Sequence, residues 1–188
     1  MNLISSSAKA IHSVIDFFTP SFLAFPCVYS RHSTKEHSLG MDFTVLTSGL
    51  FCLSSIFGVP VVFANTSPIS QVLPYGPCDI GIPKFVWSIK NERYLSFKEV
   101  FSSSIGNFFL DYKYLEAGVT VIDNSPEDIK DVAMEMLDRI EGKALYSDED
   151  ERLQERFKSL MNPRHYSYGA ISRVGRDFLR KYEYLLND

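Results

Sequence analysis

An α/β fold, with a parallel sheet in the middle of the chain and helices towards its C-terminal end, is predicted by three observations. Two short apolar runs, Phe43-Thr44-Val45-Leu46 and Val59-Pro60-Val61-Val62-Phe63-Ala64, flank a polar glycine turn and an apolar stretch, which is the order of a β-α-β unit. Both runs are apolar throughout rather than alternating, as strands covered on both faces of a parallel sheet are. Beyond residue 125, apolar residues recur at helical spacing behind recognisable helix starts.

The elements follow in order. Residues 1–40 carry no clean period of 2 or 3.6 and are read as a leader without a defined element; residues 41–188 are read as one domain. After the Phe43–Leu46 strand, Thr47-Ser48-Gly49 forms the turn, Leu50 to Phe57 the helix, and Gly58 the break before the second strand. Asn65 to Pro83, with four prolines, is read as a long connection, either functional or poorly ordered. Lys84 to Trp87 is a brief extended run, and Ser96 with Glu99 is a capping box that starts a short helix. Val119 to Ile122 is a further strand. Ser125-Pro126-Glu127-Asp128 then opens a helix with Ile129, Val132, Ala133, Met136, Leu137 and Ile140 on one face, closed by Gly142. Ser147 begins another, with Leu153, Phe157 and Leu160 inward and Pro163 as its stop. A final helix is expected to carry Ile171, Val174, Phe178, Tyr182 and Leu185 on one face.

Bulk properties exclude several classes. With 188 residues, 45% hydrophobic and 22% charged, the chain is long and apolar enough for a real core. A net charge of -4 gives no electrostatic reason for nucleic-acid binding. No stretch approaches the roughly 20 apolar residues that a membrane span needs. Cys27, Cys52 and Cys78 are odd in number and widely spaced, so zinc or dithiol chemistry is not indicated, Cys52 reads as a buried thiol, and a cytoplasmic location fits. The four histidines show no metal-ligand spacing, and surface or capping roles are expected for them. Phe108, Phe109, Tyr112 and Tyr114 are expected to pack rather than to hold a ligand.

Chemistry is expected where strands of an open α/β sheet end, because helix N-termini there present unpaired N–H groups. Thr47, Ser48 and Gly49 follow the first strand, and Asn65, Thr66 and Ser67 follow the second, on the same edge. For Thr47-Ser48-Gly49, composition alone favours a plain helix cap over phosphate binding. Lys84 and Arg93 are cations suited to a diphosphate, though a solvated surface charge explains Arg93 more simply. There is no G-x-S-x-G elbow, P-loop or G-x-G-x-x-G.

Leu46-Thr47-Ser48-Gly49-Leu50, Ser54-Ser55-Ile56-Phe57-Gly58-Val59-Pro60-Val61-Val62, Asn65-Thr66-Ser67-Pro68 and Ile82-Pro83-Lys84 together resemble a group of bacterial glycosyltransferases associated with surface-polysaccharide gene clusters. Leu95 to Glu99, Glu135-Met136-Leu137 and Phe178-Leu179 are similar too, so the resemblance runs from about residue 43 to 188. It implies a GT-B architecture of two Rossmann-like domains, of which this would be the C-terminal, nucleotide-sugar-binding one. By position Thr47, Ser48 and Gly49 would approach the donor diphosphate, with Asn65 and Lys84 nearby, and no cofactor or metal is implied. A full member carries a long N-terminal half with the acceptor contacts and the catalytic base. The chain is therefore expected to be truncated, to work at the inner face of the membrane with a separately encoded half, and to offer no catalytic base of its own. The rival expectation is a non-catalytic nucleotide-binding or protein-interaction module.

Overall fold

The computed structural model describes residues 44–46, 54 and 57–187. A parallel sheet forms its centre. Strands β1 (Thr44–Leu46), β2 (Val61–Phe63), β3 (Ile80–Gly81) and β7 (Arg173–Val174) lie in the order β1-β2-β3-β7. Thr44 is in register with Val61, Val62 with Ile80, and Ile80 with Arg173. The β-α-β reading holds in its two parallel strands; most of the stretch where the helix is expected, Leu50 to Phe57, lies outside the described residues. All of β2 is buried, as a run of Val-Val-Phe covered on both faces must be.

Strand β3 lies inside the stretch expected to be loop. It is only two residues long and sits among prolines, so no local period marks it. Its place is set by distant contacts. Gly81 packs so closely on the Val72 carbonyl that a Cβ would stand 1.9 Å from that oxygen, and only glycine fits.

A second, antiparallel sheet departs from the expected single parallel one. Strand β4 (Phe85–Ser88) pairs on one side with β5 (Arg93–Tyr94) and on the other with β6 (Val119–Ile122). The turn from β4 to β5 is too short for the crossover that parallel strands require, so those two form a hairpin. The Val119–Ile122 strand is present as expected, but it extends this hairpin sheet rather than the parallel one. Mixed α/β is thus the architecture, with parallel pairing confined to four strands.

Helix starts match their sequence signals. Helix α1 (Phe97–Ser102) has the Ser96–Glu99 capping box, and α2 (Asp111–Glu116) follows a short 3-10 turn. Helix α3 (Pro126–Ile140) is capped by Ser125 and Asp128 and stops before Gly142, whose φ of 70° suits glycine. Helix α4 (Asp148–Ser159) carries a third capping box, Ser147 with Asp150. The core joins Val62, Ile80, Ile82, Phe97, Phe101, Met136, Phe157 and Phe178. Around it, Phe97 meets Phe157 edge-on at 5.3 Å and Phe85 stacks on Phe178 at 5.6 Å.

The last expected helix is shorter than its spacing suggests. Helix α5 covers only Arg176–Lys181, and Ile171, expected inward, is 63% exposed. Upstream of it, the Arg173 N–H donates to the Asp79 carbonyl and the Gly175 N–H to the Gly81 carbonyl, which draws residues 173–174 into the sheet beside β3. Long-range strand pairing outweighs local helical period there.

Among the described residues no helix is long and apolar enough to cross a membrane. Cys78 is disulfide-bonded. Cys27 and Cys52 lie outside the described residues.

Candidate functional site

At the carboxyl edge of the parallel sheet, β1 ends at Leu46 in register with Phe63, the last residue of β2. Thr47, Ser48 and Gly49, the expected diphosphate turn, lie outside the described residues. On the β2 side the chain turns sharply, with Asn65 at φ 55°. That left-handed backbone is tolerated by Asn and is fixed here by a reciprocal pair. The Asn65 N–H donates to Asn124 Oδ1 at 3.0 Å, and the Asn124 N–H donates to Asn65 Oδ1 at 2.7 Å. The Asn124 amide then donates to the Pro83 carbonyl at 2.8 Å. One asparagine beyond β6 thereby ties the end of β2 to the segment that enters β4.

Lys84, next to Pro83, is held at the same place. Its Nζ lies 2.9 Å from an Asp123 carboxyl oxygen, with the lysine side chain 19% exposed and the aspartate 66%. A mostly covered ammonium has a partner that faces water. Asn65 and Lys84, 19 residues apart in sequence, are thus anchored to the adjacent residues Asn124 and Asp123. Arg93 is not part of this cluster: it forms a two-point pair with Glu99 on the surface, at 2.6 and 2.9 Å.

Polar groups in the turn differ in how they are satisfied. The Ser67 hydroxyl donates to the Phe108 carbonyl at 3.3 Å. Thr66 is 7% exposed, and its hydroxyl is buried with no hydrogen-bond partner among the described residues. The Asn65 side-chain NH2 likewise has no partner among them. The edge holds an ammonium paired with an exposed carboxylate, an amide NH2 and a buried hydroxyl. Such a set suits an oxygen-rich anion.

The nearby start of α3 is not available to an anion. Asp128 fills it, accepting from the Ser125 hydroxyl at 2.9 Å, Lys181 Nζ at 2.7 Å and the Tyr182 hydroxyl at 3.0 Å. Burial alone would raise the Asp128 pKa, but these hydrogen bonds outweigh it and hold the carboxyl below its ordinary value. The protein supplies its own anion at this helix end.

A second polar centre was not read from the sequence. Glu135, 2% exposed, projects inward from α3. The Tyr146 hydroxyl donates to its Oε1 at 3.0 Å, and the Arg176 backbone N–H donates to its Oε2 at 2.6 Å. Burial pushes the Glu135 pKa up and pushes Tyr146 up to about 12. Arg139 donates to the tyrosine hydroxyl at 3.2 Å, and the Arg173 guanidinium lies 4.0 Å over its ring. The available signal was spacing: Glu135 falls between inward Val132 and Met136. Both carboxyl oxygens accept from the protein, so this centre ties α3 to the start of α5.

Other expectations can be placed briefly. His165 is buried beside Asn162 and the Phe101 ring rather than on the surface. Tyr114 packs inside as expected, whereas Phe109 and Tyr112 are exposed. Among the described residues no group of three His, Cys, Asp or Glu side chains is placed to hold a metal ion. Compared with protein-family models, curated proteins and solved structures, the chain has no match.

Proposed function

We propose that the chain is the nucleotide-sugar-binding part of a GT-B-type glycosyltransferase that serves cell-surface glycan assembly. The resemblance of residues 43–188 supplies the class, and one observation supports the site. Asn65, tied through Asn124 to the Pro83 carbonyl, and Lys84, whose ammonium is paired with the water-facing Asp123 carboxylate, lie along the carboxyl edge of a parallel sheet. In sugar transfer the nucleoside diphosphate leaves with growing negative charge. A positioned ammonium and neutral donors stabilise that charge. On this reading Lys84 carries the electrostatic part, and Asn65 with the Thr47-Ser48-Gly49 turn positions the phosphates. Acceptor contacts and the general base come from a second half, as the family resemblance implies.

The rival reading, an interaction module, is favoured by one surface feature. Exposed Phe109 and Tyr166 meet edge-on at 5.9 Å, and the exposed Tyr75 hydroxyl donates to the Tyr166 carbonyl, so three segments share an aromatic face.

Thermal unfolding with a panel of nucleoside diphosphates and nucleotide sugars separates the two. A ligand at about 100 times its Kd adds roughly 2.7 kcal/mol to folded-state stability. The donor-domain reading expects one nucleotide to raise Tm and Lys84→Ala to weaken that ligand about tenfold with little change in unliganded Tm. A cooperative transition that no nucleotide moves would favour the interaction module.

A further inference from the structure

We infer that Thr66 is a ligand-binding residue, whose hydroxyl hydrogen-bonds a phosphate oxygen of the bound diphosphate. This rests on the donor-site reading and adds to it a residue whose side chain is buried. Three observations converge. Thr66 lies three residues beyond the end of β2, between Asn65, which is locked to Asn124, and Ser67, which donates to Phe108. It is 7% exposed, and its hydroxyl has no partner among the described residues. The preceding residue, Asn65, is tied through Asn124 to the Pro83 carbonyl, and the next residue along that segment, Lys84, brings an ammonium whose partner Asp123 faces water.

A buried hydroxyl without a partner is destabilising, and valine has the same shape without that liability. A threonine kept in this condition is accounted for when the bound state supplies the missing acceptor. Phosphate oxygens are acceptors without donors, and they match a hydroxyl that has no partner among the described residues. Because the hydroxyl is covered, binding includes its exposure to the ligand.

Thr66→Val and Thr66→Ser are compared with the unsubstituted protein, reading unliganded Tm and binding of inorganic pyrophosphate and of nucleoside diphosphates by calorimetry. The expected result is a Thr66→Val protein with unchanged or raised Tm and about tenfold weaker binding, while Thr66→Ser binds within a factor of about three of the original. Equal binding by Thr66→Val would overturn the role of Thr66 and leave the donor site standing. A clear fall in unliganded Tm for Thr66→Val would overturn it too, because the hydroxyl would then have a partner in the folded protein. If the unsubstituted protein binds none of these anions, both this inference and the donor-site reading fall.

Discussion

The edge around Asn65 and Lys84 and the centre around Glu135 are both built from polar side chains against an apolar core, yet they are satisfied in opposite ways. Around Glu135 every carboxyl oxygen has a donor, and each donor comes from a different segment: the Tyr146 hydroxyl from the loop before α4, and a backbone N–H from the start of α5. At the edge, a buried hydroxyl and an amide NH2 have no partner among the described residues, and the lysine's carboxylate partner faces water. A closed network rigidifies the fold, whereas an open set of donors has capacity for something else. Burial of a polar residue thus does not mark a functional site by itself. The balance of donors and acceptors around it does.

The comparison is broken most directly at its closed end. Glu135→Ala should destabilise the protein by roughly 3 kcal/mol, since it leaves a tyrosine hydroxyl and a backbone N–H without acceptors and opens a cavity. Urea denaturation measures this as a lower midpoint. Glu135→Gln should lose less, because the amide keeps one acceptor. Nucleotide affinity should be unchanged in any variant that folds. A stable Glu135→Ala protein with lost affinity would make the closed centre part of the site.

A smaller effect is expected from pH. Asp150, capping α4, faces burial, which raises its pKa, but the Arg180 pair at 2.7 Å and the Ser147 bonds bring it down to about 2. Its folded pKa lies below the unfolded value near 3.9, so its contribution is complete above about pH 4 and is lost as pH falls towards 2. Glu135 behaves in the opposite sense. Its pKa is raised, so its contribution is present at low pH and declines as pH rises through the folded value. Asp150→Asn should therefore lower stability at neutral pH and flatten the fall between pH 4 and 2. An acid limb as steep in Asp150→Asn as in the unsubstituted protein would show that other carboxylates govern it.

Legibility in the sequence followed the range of the interaction. The three Ser-started helices could be read because a capping box is complete within four residues: Ser96 with Glu99, Ser125 with Asp128, Ser147 with Asp150. Strand β3 and the early end of the last helix could not. Ile80–Gly81 is a strand because it pairs with β2 on one side and, across some ninety residues, with Arg173–Val174 on the other, and two residues carry no period. At the site, Asn65 and Lys84 were legible from their places after one strand and before another. Asn124, which joins them, was not, since a residue between a strand and a helix reads as an ordinary turn. Asp128 shows the converse: its acidic place at a helix start was plain, but its bonds to Lys181 and Tyr182 depend on α5 lying alongside.

The smallest effect is also the most selective for the open end. Asp123 is the carboxylate that answers Lys84, and its exposure makes the pair a weak one, worth at most about 1 kcal/mol. An incoming phosphate competes with it for the same ammonium. Asp123→Asn should therefore leave Tm almost unchanged and tighten diphosphate binding by about threefold, the reverse in sign of Lys84→Ala. Salt supplies a control: screening weakens the exposed pair, so the advantage of Asp123→Asn should shrink as ionic strength rises towards 1 M. Weaker binding in Asp123→Asn would mean that the carboxylate positions the lysine instead of competing for it, and the edge would then resemble the Glu135 centre more than it differs from it.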